Sequence, residues 1–137
     1  MGCQNDFYQM TAPLKLIAAQ DEIMYKRNLN KLEHSEQDHI GRITMCFNEN
    51  LNAIDEELAE ELLYMLDQYE KNDDVNVIVL SSKGKVFSSG GDIRYFYDLL
   101  KRDGKVDLSG LANLVGKLAY AMRSHKKMII TAVTGTA

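Results

Sequence analysis

The chain has 137 residues, enough for one domain with a core of its own but short of the length at which several domains are expected. Apolar residues make up 45% of it, and no apolar run nears the roughly 20 residues a membrane-spanning helix needs, so the sequence reads as globular and soluble by default. The net charge of −4 hides an asymmetry: residues up to Leu80 hold 6 Lys/Arg against 16 Asp/Glu and those beyond hold 10 against 4, giving −10 and +6. The basic part could meet an anion such as a nucleotide phosphate, but its lysines are scattered as on a solvated face, and no nucleic-acid partner is expected.

The start Met1-Gly2-Cys3 resembles a lipidation signal only in part, because Asp6 stands where a myristoylation motif wants Ser or Thr. No apolar signal-peptide core follows. Cys3 and Cys46 read as unrelated thiols, which suits a reducing cytoplasm. Residues 1–20, with Pro13 and an apolar stretch at 14–19, lack periodicity and read as an N-terminal arm of open structure. Residues 21–137 read as one domain. Ile23, Tyr25, Arg27 and Leu29 alternate with period two, and Ile43, Met45 and Phe47 do so again, predicting two strands paired as a hairpin across the polar stretch 30–38.

Leu58, Leu62, Met65, Leu66 and Tyr69 then fall at helical spacing. Asp55 is placed to cap the first turn, and Glu56 and Glu57 suit the positive end of the dipole. Glu60 and Glu61 fall on the open face and read as acids meeting water rather than as a catalytic pair. Residues 75–80 form a β-branched run of the kind buried on both faces of a sheet, ended by Ser81-Ser82-Lys83-Gly84. After residues 88–91, Asp92 can cap a helix through Ile93, Phe96, Tyr97 and Leu100, stopped near Gly104. A third helix carries Leu111, Leu114, Val115, Leu118 and Met122, and residues 128–133 predict another buried strand. The alternation gives an α/β fold with crossover helices. Because a completed domain rarely stops where its next element should begin, the chain is expected to be truncated.

Chemistry concentrates at residues 83–94, where a strand runs through Gly90 and Gly91 into a helix N-terminus. Bare N–H groups there can bind negative oxygen, as an oxyanion hole does for a developing enolate. Two adjacent glycines before a helix also make an ordinary tight turn. Neither the phosphate-loop nor the dinucleotide glycine pattern is present. His34, His39 and His125 lack the spacing of a metal site, and no Ser-His-Asp or Cys-His arrangement is legible.

Four blocks carry a resemblance. Ile43-Thr44-Met45-Cys46-Phe47-Asn48 followed by Leu51-Asn52-Ala53-Ile54-Asp55 resembles the "ITLNRP…LNALD" opening of the crotonase (enoyl-CoA hydratase/isomerase) family. Residues 77–80 resemble its "VIVLTG" strand, residues 87–93 its "FCAGADI", and residues 127–137 its "KPVIAAVNGYA". Together they span about 40 to 137, roughly 70 per cent of the chain, in family order. The resemblance implies a crotonase-like spiral of β-β-α units, here truncated after its N-terminal half, acting on an acyl-CoA thioester. Coenzyme A is then part of the substrate and there is no separate cofactor or metal. By position Gly91 is the first oxyanion-hole donor, and Ser89, Gly90, Gly91, Asp92, Ile93 and Arg94 line the CoA arm. The family also implies a homo-oligomer, a trimer or dimer of trimers, without membrane association. Glu49 or Asn50, Met128 and Thr134 depart from the family's proline, proline and asparagine. The second donor and the acid/base glutamates of the family belong to segments beyond Ala137. A non-catalytic binding or assembly fragment, or another branch such as a naphthoate synthase, a polyketide-type dehydratase or a decarboxylase, is the alternative.

Overall fold

The computed structural model describes residues 27–137. The N-terminal arm and most of the strand predicted at 23–29 lie outside the described residues. Four strands and three α-helices follow in the order β1 (Leu32–Gln37), β2 (Ile40–Met45), α1 (Glu56–Lys71), β3 (Val77–Ser82), α2 (Ile93–Asp103), α3 (Ser109–Ser124) and β4 (Met128–Thr131). They form a 4-stranded sheet in sequence order. The β1–β2 pair is antiparallel, whereas β2–β3 and β3–β4 are parallel and joined through helices, the β-β-α pattern expected.

The hairpin forms with a different first strand from the one predicted. Arg27 and Leu29 lie outside any strand, and β2 instead pairs with LEHSEQ, drawn from the polar stretch assigned to a loop. Period two could not reveal it, because Leu32 is its one apolar residue and its later residues are exposed, as an edge strand allows. Turn geometry fixes it: Asp38 and His39 both take positive φ, 53° and 62°, so Gln37 meets Ile40 across a two-residue turn whose twist matches the strands.

Helix α1 covers the sheet. Asp55 accepts from the Leu58 N–H at 2.9 Å, as predicted for the cap, and Leu58, Met65 and Tyr69 are withdrawn from solvent together with Ile43 of β2 and Ile78 of β3. Leu118 of α3 joins the same cluster. At about 25 cal/mol per Å² of buried apolar surface, this layer is the main favourable contribution to folding.

Glu61 departs from its reading as a solvated acid. It is 1% exposed, and its carboxylate accepts the backbone N–H groups of Asn30 (2.7 Å) and Lys31 (3.0 Å) where the chain enters β1. Beside it the Lys31 ammonium, itself buried, pairs with Asp55 and with Glu57 at 3.1 Å, and lies 4.6 Å from the centre of the Phe47 ring. Burial pulls the Lys31 pKa down, but the hydrogen bonds and charges of the two carboxylates outweigh it, and the net direction is up.

Cys46, expected to be an independent thiol, is disulfide-bonded. It sits just past the end of β2, half-buried, with its N–H on the Lys31 carbonyl at 2.9 Å. Strand β4 also differs from the buried strand predicted: Met128 is 67% and Ile130 48% exposed, because no element among the described residues covers that side.

Candidate functional site

Two stretches of chain converge on the glycine segment. From one side comes the segment after β4, where Val86 bridges Thr136 in parallel and the Phe87 N–H donates to the Thr136 carbonyl at 2.7 Å. The approach requires Gly135: its φ is +70°, and a Cβ there would lie 2.0 Å from the Lys85 carbonyl oxygen, so no L side chain fits. From the other side comes the turn before α1. Leu51 and Asn52 both adopt left-handed backbone, φ 53° and 51°, which returns the chain along residues 88–92.

The hydrogen bonds of that second contact define the site. The Ser89 N–H donates to the Leu51 carbonyl (3.0 Å), the Ile54 N–H to the Gly90 carbonyl (2.7 Å), and the Asp92 N–H to the Ile54 carbonyl (3.1 Å). The Gly90 N–H donates to Ser88 Oγ at 3.2 Å. Within residues 89–92, and among the described residues, only the Gly91 N–H finds no acceptor. Its direction follows from peptide geometry. The Gly90 carbonyl and the Gly91 N–H belong to one planar trans unit, so holding the carbonyl on Ile54 turns the N–H the opposite way. Gly91 is exposed there, at the entrance of α2.

The other predicted site residues divide. Asp92 is buried, and its carboxylate is committed to the protein: it accepts from the Arg94 N–H (2.8 Å), from the Tyr95 N–H (3.3 Å) and from the Asn50 amide. It is thus the cap predicted for α2. Ser89, Gly90, Ile93 and Arg94 are all exposed beside Gly91, Ile93 at 78%. The Tyr95 phenol has its pKa raised, chiefly because it is hydrogen-bonded to Glu56, tying the first turns of α2 and α1 together. An 11-residue helix whose entrance offers an unpaired N–H and a positive dipole end suits a partially negative oxygen.

Sequence reasoning gave no role to Asn50, Asn52 or Ser88, the side chains that hold this loop. The signal available was the density of short amide and hydroxyl residues in two turn-forming stretches, where such side chains bond to nearby backbone. The histidines lie elsewhere: His39 bonds to the Asp74 carbonyl, and His125 to the Leu66 carbonyl and the Lys127 N–H. Among the described residues no three His, Cys, Asp or Glu gather as a metal-holding group. No described helix is long and apolar enough to cross a membrane.

The sequence profile of the family described as enoyl-CoA hydratase/isomerase matches residues 40–137, from β2 through the glycine segment to the last residue. The chain belongs to the enoyl-CoA hydratase/isomerase family. Among its curated relatives, a Bacillus subtilis protein named "Probable enoyl-CoA hydratase" is 34% identical over 100 residues, 73% of this chain and 38% of the relative. The trans-2-decenoyl-(acyl-carrier-protein) isomerase of Streptococcus mutans is 28% identical over 96 residues, 70% of this chain and 36% of the relative. Among solved structures, an enoyl-CoA hydratase from Shewanella pealeana superposes with a TM-score of 0.72 at 26% identity, over 85% of this chain and 43% of that one. The fold is therefore crotonase-like, and this family member spans well under half the length of the relatives it matches.

Proposed function

We propose that the chain contributes the first half of an acyl-thioester site of the enoyl-CoA hydratase/isomerase type, in which the Gly91 N–H donates to the thioester carbonyl oxygen as that oxygen gains enolate charge. The observation that carries this reading is the Gly91 amide itself, without an acceptor among the described residues and turned outward by the Ile54–Gly90 bond at the N-terminus of α2. The dipole of α2 favours the same charge. In this reading Ser89, Ile93 and Arg94, exposed around Gly91, meet the arm of the thioester, while Asp92 acts from behind by holding the helix. Coenzyme A enters as part of the substrate and no separate cofactor is invoked. The homo-oligomer implied by the family is part of the same proposal.

By the family pattern, the second donor and the acid/base glutamates come from segments that these 137 residues do not contain. Loss of one donor costs about 10²–10³ in rate, and loss of the proton-transfer group about 10²–10⁴ more. The expected outcome is that the purified chain does not hydrate crotonyl-CoA, followed by the ultraviolet absorbance of the conjugated thioester, yet binds it more tightly than free coenzyme A. Gly91→Val should abolish that preference, since even a Cβ at this position would lie 2.9 Å from the Phe96 ring and the side chain would crowd the N–H. Turnover by the 137 residues alone, or an undiminished preference in Gly91→Val, would overturn the assignment.

A further inference from the structure

We infer that Asn52 is a positioning residue for the Gly91 amide, fixing the direction of that N–H by clamping the turn before α1 to the chain that runs into the glycine segment. The inference rests on the reading of Gly91 as a donor to a thioester oxygen.

Asn52 is 0% exposed and holds left-handed backbone, φ 51°, a conformation that asparagine tolerates better than most residues. Its side-chain amide donates to two carbonyls of the neighbouring stretch, Val86 at 2.9 Å and Lys83 at 3.4 Å. Its own carbonyl accepts from Ser88 Oγ at 2.9 Å, and Ser88 Oγ in turn accepts the Gly90 N–H at 3.2 Å. One residue therefore grips the incoming chain at residues 83, 86 and 88 and reaches Gly90 through a hydroxyl. Two residues later Ile54 takes the Gly90 carbonyl and the Asp92 N–H, the bonds on either side of Gly91. The peptide unit that carries the Gly91 N–H is thus held at its carbonyl by Ile54 and at the preceding amide by Ser88, both anchored through Asn52. Two carbonyls facing the side chain require a donor, so aspartate, the same shape with oxygens only, cannot replace it.

Glycine-selective ¹⁵N labelling tests this, because the chain has only 9 glycines and those of α3, Gly110 and Gly116, report whether the fold is intact. The residual dipolar coupling of the Gly91 N–H reads its direction in the ligand-free chain. Titration with crotonyl-CoA, against free coenzyme A as control, reads whether that N–H meets the thioester. In the unsubstituted chain a downfield Gly91 shift is expected with crotonyl-CoA and not with coenzyme A. Asn52→Asp should change the Gly91 coupling and cut the thioester-specific shift by about half or more, with Gly110 and Gly116 unmoved. Ser88→Ala, which leaves the Asn52 side chain in place and removes only the hydroxyl relay, should act in the same direction and decides the matter if Asn52→Asp does not fold. An unchanged Gly91 coupling in a folded variant overturns the positioning role whatever the ligand does. A changed coupling without any thioester shift in the unsubstituted chain overturns the donor reading of Gly91, and the inference with it.

Discussion

Around α1, apolar side chains disappear from solvent: Leu58 and Met65 of the helix and Ile43 and Ile78 of the strands beneath it are each 0% exposed. Past β3 several residues of the same types behave differently. Met128, Ile130 and Val133 keep about half or more of their surface exposed, as do Ile93, Tyr97 and Tyr120 on α2 and α3. Both regions are apolar at the spacing of their elements, so the contrast lies in what faces them. Helix α1 lies over β2 and β3 and receives Leu118 of α3, while nothing among the described residues lies over the exposed face of β4. Hydrophobic periodicity selects the element and its face, and burial needs a second surface.

Substitutions can break this comparison. The largest effect is expected in the covered layer, where Leu58→Ala removes a fully buried side chain and should lower unfolding free energy by about 2–5 kcal/mol, whereas Met128→Ala on exposed β4 should change it by no more than about 0.5 kcal/mol. Chemical denaturation of the two variants reads the difference, and comparable losses would mean that β4 is covered in solution. A smaller effect separates two neighbouring acids of α1. Glu61→Ala leaves the N–H groups of Asn30 and of buried Lys31 without their acceptor and should cost about 1–3 kcal/mol. Glu60→Ala loses only an exposed pair with Arg27, worth at most about 1 kcal/mol, and equal effects in the same denaturation experiment would remove the structural role given to Glu61.

The smallest expected effect is one of pH. Lys31 binds its proton more tightly in the folded chain, so the stability it contributes is fully present below its ordinary value of about 10.5 and is lost as pH rises through the higher folded value. Glu57 has the opposite sign. Its pKa is lowered first by the Asn30 hydrogen bond and then by Lys31, so its contribution is present above the ordinary glutamate range and lost as pH falls. In a series of melting temperatures against pH, Lys31→Met should fall less steeply than the unsubstituted chain above about pH 10.5. Parallel alkaline slopes would show that Lys31 contributes nothing to that limb.

Much of the architecture was legible because its signals are local. Asp55 and Asp92 were readable as caps, since a short carboxylate before an apolar period can reach the next turn's N–H groups, and Gly104 as a stop, since a left-handed helix end favours glycine. The crotonase resemblance singled out Gly91, while the contact of the turn before α1 with the glycine segment was not read from the sequence. The first strand of the hairpin was not legible: β1 is polar, and it is fixed by pairing with β2 and by the Asp38–His39 turn. Nor was the inward turn of Glu61, whose helical position matches that of a solvated acid until the chain entering β1 presents two N–H groups to it.

The sequence by itself determined the α/β class, three helices, two of them with their N-caps, and the parallel strands around the glycine segment, because each depends on residues within a turn or a strand of one another. Only the tertiary structure decided which apolar faces are covered, which carboxylate is buried, that Cys46 is disulfide-bonded, and how the Gly91 amide is aimed. Each of these depends on a partner far along the chain: Ile54 and Gly90, or Asn52 and Val86, are neighbours in space although α1 and β3 lie between them in the sequence. No local pattern encodes such a meeting, since the energy that selects it comes from packing and hydrogen bonds formed once the chain has closed.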